Sequence, residues 1–435
     1  MRVRILCTND FLSSLAPMAT SYGTLPGGHA LQDSVRRLRE GQPTIWADAG
    51  DFSQGGPLST ATGGVANFAA AGELGIEVAT VGNHELDWGV EHLAEHRKAL
   101  PFPLICANLD LGLPGGALLQ TDAGAVGFVG LTHPQLSAFT PYVRMPDPDL
   151  GRIVPEHAER LRAQGAVAVV VLIHFGVNWS VGPDGAHRPD PTPVLELCRP
   201  FQHAVDAVVL GHTLGRWAAV VDGVPYAQPW AFGAELGVVD LDLQSGEHAV
   251  ELLAVDAEPV AWMGAGAAEI EQALNTTIAS IGSPLAIDFA HDISLADYAA
   301  DALRLASGAS GAVVPVVGMH QPAIAGVMYS WPAGEVSEAD LSRLWPWTDD
   351  RCLIAELSPG ELDSVTMFTA PEPWLAWGTS LADTDADACE SCTIAVPRDY
   401  VDWATIQIAE LLGRELCWQP SDVRLREAIR MKLRG

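Results

Sequence analysis

The chain has 435 residues, 48% of them hydrophobic and 18% charged, and a formal net charge of −30 at pH 7. That length exceeds one ordinary core, so two domains are expected, and the composition is that of a folded globular protein. The acidity argues against nucleic acid and anionic membrane as partners, since both are held by basic patches, and no apolar run is long enough to span a bilayer.

The chain enters a strand-like segment at once, with no room ahead of it for an apolar leader, so a cytoplasmic location is the expectation. Segments 3–7, 44–47, 77–81, 104–107, 125–131, 166–173 and 207–210 read as buried strands. Helical patterns at 31–40, 89–99, 155–164 and 193–198 lie between several of them. This alternation predicts an α/β layered domain with helices outside a largely buried sheet. Runs 217–221, 237–243 and 248–255 are β-rich and closely spaced, and are expected to be antiparallel strands that finish a second sheet. Pro259 and the Gly/Ala-rich 264–268 mark a joint. The expected division is a first domain over 1–257, a linker over 258–284 with a helix at 269–281, and a second domain over 285–435. In that second domain, apolar runs 312–317 and 352–357 are flanked by helical stretches at 295–306 and 404–412.

Seven cysteines are an odd number scattered along the chain, which argues against a disulfide framework, and Cys389 with Cys392 reads as a chance or structural C-x-x-C. Lysine occurs only at Lys98 and Lys432, which excludes a Walker loop and speaks against Schiff-base chemistry.

The chemistry gathers around Val81-Gly82-Asn83-His84-Glu85-Leu86-Asp87-Trp88-Gly89. An amide oxygen, an imidazole and carboxylates follow an apolar run there, and these groups hold borderline divalent metals and move protons. Asp10, Asp51, His174 and His212 end other apolar runs in the same way. Residues at the carboxyl ends of buried strands converge on one crevice in open α/β sheets. Taken singly, Asp10 and Asp51 serve as caps or turn residues, and His174 and His212 as satisfied half-buried imidazoles. Five at five strand ends form a joint signal for a metal site.

The set resembles the calcineurin-like metallophosphoesterases, and within them the 5′-nucleotidase and cyclic-nucleotide phosphodiesterase branch. The matching stretches are Thr8-Asn9-Asp10, Asp48-Ala49-Gly50-Asp51 with Gln54-Gly55, 81–89, Cys106-Ala107-Asn108-Leu109, His174-Phe175-Gly176 and Gly211-His212. A looser likeness runs through 297–304 and 340–362. The resemblance implies a four-layer α-β-β-α domain followed by a smaller α+β domain that selects substrate. It also implies two divalent ions bridged by Asp51, one of them completed by Asn83, His174 and His212. The other ion would take Asp10, Asp51 and side chains at two positions that here are Leu12 and Leu214, which offer no ligand atom. His84 and Asp87 match the family's catalytic pair, Asp87 orienting the imidazole, although Asp87 could equally cap the helix that follows.

Arg216 could bring positive charge to the vacated corner, or lie solvated. Trp345 and Trp347, with Trp374 and Trp377, could stack on a base, although such residues in an apolar-rich domain are more often core. The expectation is a phosphoesterase for small phosphomonoesters or nucleotides, holding one Mn²⁺, Zn²⁺ or Fe ion. The alternatives are a metal-stabilised binding or regulatory protein that has lost catalysis, and an enzyme that recruits a new ligand such as His320.

Overall fold

The computed structural model describes residues 2–435 except 16, 21–22, 55, 139, 141–142, 182–186, 256–272, 288–291, 317–318, 320–328, 348–350, 369–376, 383–390 and 399–402. The chain divides into two compact units. One comprises Met1–Met18, Thr24–Gln54 and Ala61–Ala267, the other Ala19–Gly23, Gly55–Thr60 and Ala268–Gly435.

The first unit is built on two six-stranded sheets. In one, Arg2–Thr8, Thr44–Asp48, Val78–Thr80 and Leu104–Ile105 run parallel in that order. In the other, Gly124–Leu131, Ala166–Ile173, Ala207–Leu210 and Val224–Gln228 run parallel, with Gly116–Thr121 and Trp217–Val221 antiparallel at its edges. Strand pleating sends Val3, Ile5 and Cys7 of the first sheet, and Ala168, Val170 and Leu172 of the second, into one shared fully buried core. The opposite face of the second sheet, with Val169, Val171 and Ile173, is covered by Val154, Ala158 and Leu161 of the helix Leu150–Ala163 and by Val194 and Cys198 of Thr192–Cys198.

Leu6 and Trp46 point away from the shared core and are also fully buried. Helices Gly28–Leu38 and Val65–Leu74 connect successive parallel strands of that sheet. Right-handed crossovers put both on this outer face, where Gln32 donates to the carbonyls of Glu73 and Leu74. The result is the four-layer helix–sheet–sheet–helix arrangement.

One expectation is corrected here. Glu235–Asp242 and His248–Ala254 do not finish the second sheet; they return to the first, where Glu235–Asp242 pairs antiparallel with Arg2–Thr8 and His248–Ala254 lies outside it. Cross-strand partners Arg4 and Asp240 form a two-pronged ion pair with bonds of 2.8 and 2.7 Å. Matched charges directly opposite each other favour this pairing and register.

The second unit carries a five-stranded mixed sheet in the order Trp377–Leu381, Gly311–Pro315, Cys392–Pro397, Arg351–Leu357, Gln419–Arg424. Ala312 and Val314 face one core with residues of helices Ser294–Ser307 and Leu425–Arg434. Val313, between them, faces another with Leu362, Val365, Ala404 and Ile408 of helices Pro359–Thr366 and Trp403–Leu412. Ser337 and Ser358 start helices Glu338–Leu344 and Pro359–Thr366 with reciprocal capping boxes. A second correction falls at the joint: residues 277–281, expected to be helical, form the strand Thr277–Ile281 paired with Gly334–Ser337. The joint residues Pro259 and 264–268 lie outside the described residues, as does Cys389, while Cys392 is buried at the start of its strand. Among the described residues no helix is long and apolar enough to cross a membrane.

Candidate metal centre

Each of the five candidate ligands sits just beyond the carboxyl end of a parallel strand. Asp10 follows Arg2–Thr8, Asp51 follows Thr44–Asp48 and Asn83 follows Val78–Thr80, while His174 and His212 follow Ala166–Ile173 and Ala207–Leu210. Asp10, Asp51 and His212 adopt left-handed backbone, with φ of 47°, 59° and 76°. Such conformations cost roughly 1–3 kcal/mol each in side-chain-bearing residues and concentrate at functional sites. Leu12 and Leu214 share the conformation, with φ of 47° and 54°, and both are buried. A branched apolar side chain has no local hydrogen bond to offset that cost.

Asp51, His174 and His212 bring one ligand atom each to within 4.8 Å of one another. His174 Nε2 is 3.0 Å from Asp51 Oδ2 and 3.2 Å from Asn83 Oδ1, and His212 Nδ1 is 2.9 Å from Asn83 Oδ1. Donors sharing an ion through bonds of about 2.1 Å stand roughly 3.0–3.4 Å apart, so this set fits one divalent cation. His174 Nδ1 lies 2.8 Å from the Ala49 carbonyl; an N–H there donates outward and turns the Nε2 lone pair toward the centre. Two imidazoles with carboxylate and amide oxygens suit borderline transition metals.

The electrostatics agree. Burial alone would raise Asp51, but the imidazoles of His174 and His84 hold it well below the usual carboxylate range. Burial alone would neutralise His174, but the Asp51 carboxylate holds it well above its ordinary value. The two groups form a carboxylate–imidazolium pair, and a divalent cation bound between them would take the place of the His174 proton. Burial, then His133 and His174, push His212 well below its ordinary value, leaving the neutral imidazole that metals bind.

Asp10 does not join this cluster. Its Oδ2 accepts from the backbone N–H of His212 (2.7 Å) and from the Asn9 amide (2.7 Å). Its Oδ1 is buried without a hydrogen-bond partner among the described residues, and burial raises its carboxyl above the ordinary value.

His84 lies beside the centre, its Nε2 3.9 Å from Asp51 Oδ2 and its backbone N–H donating to Asp51 Oδ1 (2.8 Å). Asp87 Oδ2 takes the N–H of His84 Nδ1 at 3.0 Å. The helix Val90–His96 begins at Gly89, which has no side chain to cap it, and the Asp87 carboxylate is placed to orient the His84 ring. Burial disfavours the charged ring, yet the Asp87 and Asp51 carboxylates raise His84 to about 9.

Reasoning from sequence missed the supports. Glu85 is fully buried and accepts from the backbone N–H of Asp51 (2.9 Å) and Gly82 (2.7 Å), tying two ligand loops together. Gly82 is forced, because a Cβ there would overlap Asp51 Oδ1. His133 packs its ring 4.4 Å from that of His212 and 5.2 Å from Phe175, with Nδ1 accepting from Gln135 N–H at 3.0 Å. Its apolar-run ending, Leu131-Thr132-His133, was the available signal.

Other expected residues fall as follows. Arg216 forms an ion pair with the buried Glu235 of the same unit. Trp345 is fully buried in an apolar core of the second unit and Trp347 is 8% exposed. Trp377 is buried beside Phe368, with its N–H donating to the Val365 carbonyl at 3.1 Å. Trp374 and His320 lie outside the described residues.

The calcineurin-like phosphoesterase family matches residues 3–216. The trifunctional nucleotide phosphoesterase YfkN of Bacillus subtilis is 24% identical over 259 residues, covering 49% of this chain and 17% of that protein. The 5′-nucleotidase of Bos taurus is 27% identical over 293 residues, covering 57% of this chain and 47% of that one. The chain thus spans less than half the length of these curated relatives. In fold, it is similar to a 5′-nucleotidase precursor from Thermus thermophilus, with a TM-score of 0.71, 19% identity and coverage of 100% of this chain and 96% of the other. Residues 3–216, with a layered α/β fold and candidate metal-ligand side chains at their strand ends, are therefore a calcineurin-like phosphoesterase domain, homologous to hydrolases named for nucleotide substrates.

Proposed function

We propose that the chain hydrolyses small phosphate monoesters, nucleotides among them, using one tightly held divalent ion, Mn²⁺, Zn²⁺ or Fe. The observation that carries this reading is the convergence of Asp51, Asn83, His174 and His212 beside an intact His84–Asp87 pair. When bound, the ion supplies Lewis-acid charge toward a phosphoryl oxygen and toward a water.

The protein's own residues do the rest. The Asp87 and Asp51 carboxylates favour the charged His84 ring, Asp87 fixes its Nδ1–H, and its Nε2 faces the centre, 3.9 Å from Asp51 Oδ2. The ring steadies the charge that grows on the phosphoryl group or hands its proton to the leaving alkoxide. Asp10 is the nearby candidate base: its Oδ1 is unengaged, and a raised carboxyl suits proton uptake.

A second reading is a metal-binding homologue without catalysis, favoured by Leu12 and Leu214 at positions where a second ion's ligands would stand. Metal counting with a phosphoester panel separates the two. One ion per chain, with turnover that drops about 10²–10⁴-fold in His84→Ala, is the expected result. One ion, no turnover on any phosphoester and unaltered ion affinity in His84→Ala would establish the second reading instead.

A further inference from the structure

Behind the centre lies a closed ring of buried and partly buried hydrogen bonds. Gln228, the last residue of the strand Val224–Gln228, is fully buried. Its Oε1 accepts from the Val177 N–H at 2.9 Å, and its Nε2 donates to Thr213 Oγ1 at 3.0 Å. The Thr213 hydroxyl in turn donates to the Val177 carbonyl at 2.8 Å. Val177 belongs to the loop that carries His174, and Thr213 directly follows His212. Trp179 ties the same loops again, its N–H donating to the Thr213 carbonyl at 2.6 Å. Gly176 is enclosed by this ring, since a Cβ there would overlap the Gly211 carbonyl, Thr213 Oγ1 and Gln228 Nε2.

We infer that Gln228 and Thr213 are positioning residues of the metal centre, locking the His174 loop to the His212 loop at the spacing a shared ion needs. The inference rests on the metal-centre reading. Two observations support it. His212 holds a left-handed backbone with φ of 76°, which persists only when neighbours over-determine it. Each member makes two of the ring's three bonds, so removing one breaks two of them and leaves polar atoms of both partners without those bonds. The side-chain polar atoms of both residues are engaged with each other and with Val177, so their effect runs through the imidazoles.

The test is a calorimetric titration of the full chain with Mn²⁺ and with Zn²⁺, in wild type, Thr213→Val, Thr213→Ser, Gln228→Leu and the Thr213→Val/Gln228→Leu double variant. Expected is a loss of about 10–100-fold in affinity for each of Thr213→Val and Gln228→Leu, as for other residues that orient metal ligands. Thr213→Ser keeps the hydroxyl and restores affinity, a rescue that a purely packing role of the methyl group would not give. The double variant falls no further than the weaker single one, because one ring is broken in each case. Wild-type affinity in folded Thr213→Val, or additive losses in the double variant, overturns the inference. Hydrogen exchange on the metal-free chain gives an independent reading: amides at 211–214 exchange faster in both single variants if the lock is real, and unchanged exchange refutes it. Wild type that binds neither ion brings down the metal-centre reading, while the exchange measurement still decides the lock.

Discussion

His84 owes its charge to two carboxylates, and the two can be separated. Its folded value, about 9, lies above the ordinary 6.5. The stability contributed by the charged ring is therefore complete below about 6.5 and is lost as pH rises through about 9. If the ring acts as the acid, turnover follows the same direction, holding through neutrality and falling on the alkaline side. Replacing Asp87 by Asn removes the partner at 3.0 Å and lowers the ring's affinity for its proton. The alkaline limb of the pH–rate profile then moves to lower pH; a limb that stays in place in Asp87→Asn would show that some other group titrates. The His84–Asp87 pair and the five candidate ligands at strand ends are legible in the sequence because each interrupts an apolar run with a polar group of metal-binding type. Glu85 and Gln228 are not. Glu85 sits inside the same motif without a distinguishing neighbour, and Gln228 ends a strand whose pattern says only that it is buried. Their roles arise from contacts with segments distant in sequence, Asp51 and Val177, that no local pattern encodes.

At the scale of elements, the loops that hold Asp10 and His212 keep a backbone shape that their present residues do not use. Leu12 and Leu214 are held left-handed beside candidate ligands that adopt the same conformation. Replacing both by His places imidazoles on loops already bent to that path. Leu12→His/Leu214→His is expected to raise the metal count from one to two per chain and to increase phosphoester turnover. Metal analysis that stays at one ion would show that the corner has closed by repacking. Strand positions are readable from apolar runs; strand partners are not. The segments at 235–242 and 248–254 are rich in strand-forming residues, but that composition carries no information about which sheet edge is vacant. The ion pairs of Arg2 and Arg4 with Asp242 and Asp240 favour the first sheet, and only the folded register reveals them. At 277–281 the obstacle was different: β-branched and small residues with mixed exposure satisfy a helical pattern as well as a strand, and pairing with Gly334–Ser337 decides.

For the whole molecule the dominant quantity is the net charge of −30. Its field draws divalent cations toward the protein and repels a phosphate ester. Raising ionic strength from 0.01 to 0.15 M shortens the screening length from about 30 Å to about 8 Å. The value of kcat/KM for an anionic ester, measured at saturating metal, should therefore rise over that range while kcat changes little. A fall with added salt would indicate a local positive funnel strong enough to override the global charge.

The strand Arg2–Thr8 is clamped between Thr44–Asp48 and Glu235–Asp242, so its two neighbours come from opposite ends of the first unit. During synthesis it emerges ahead of both, and its second edge stays bare until the chain has been extended past residue 242. Contacts of such long range are slow to form, and an uncovered apolar edge is where partly made chains associate. The nascent protein consequently carries its aggregation hazard on the earliest strand of this unit, and the ribosome must deliver nearly the whole unit before that hazard is closed.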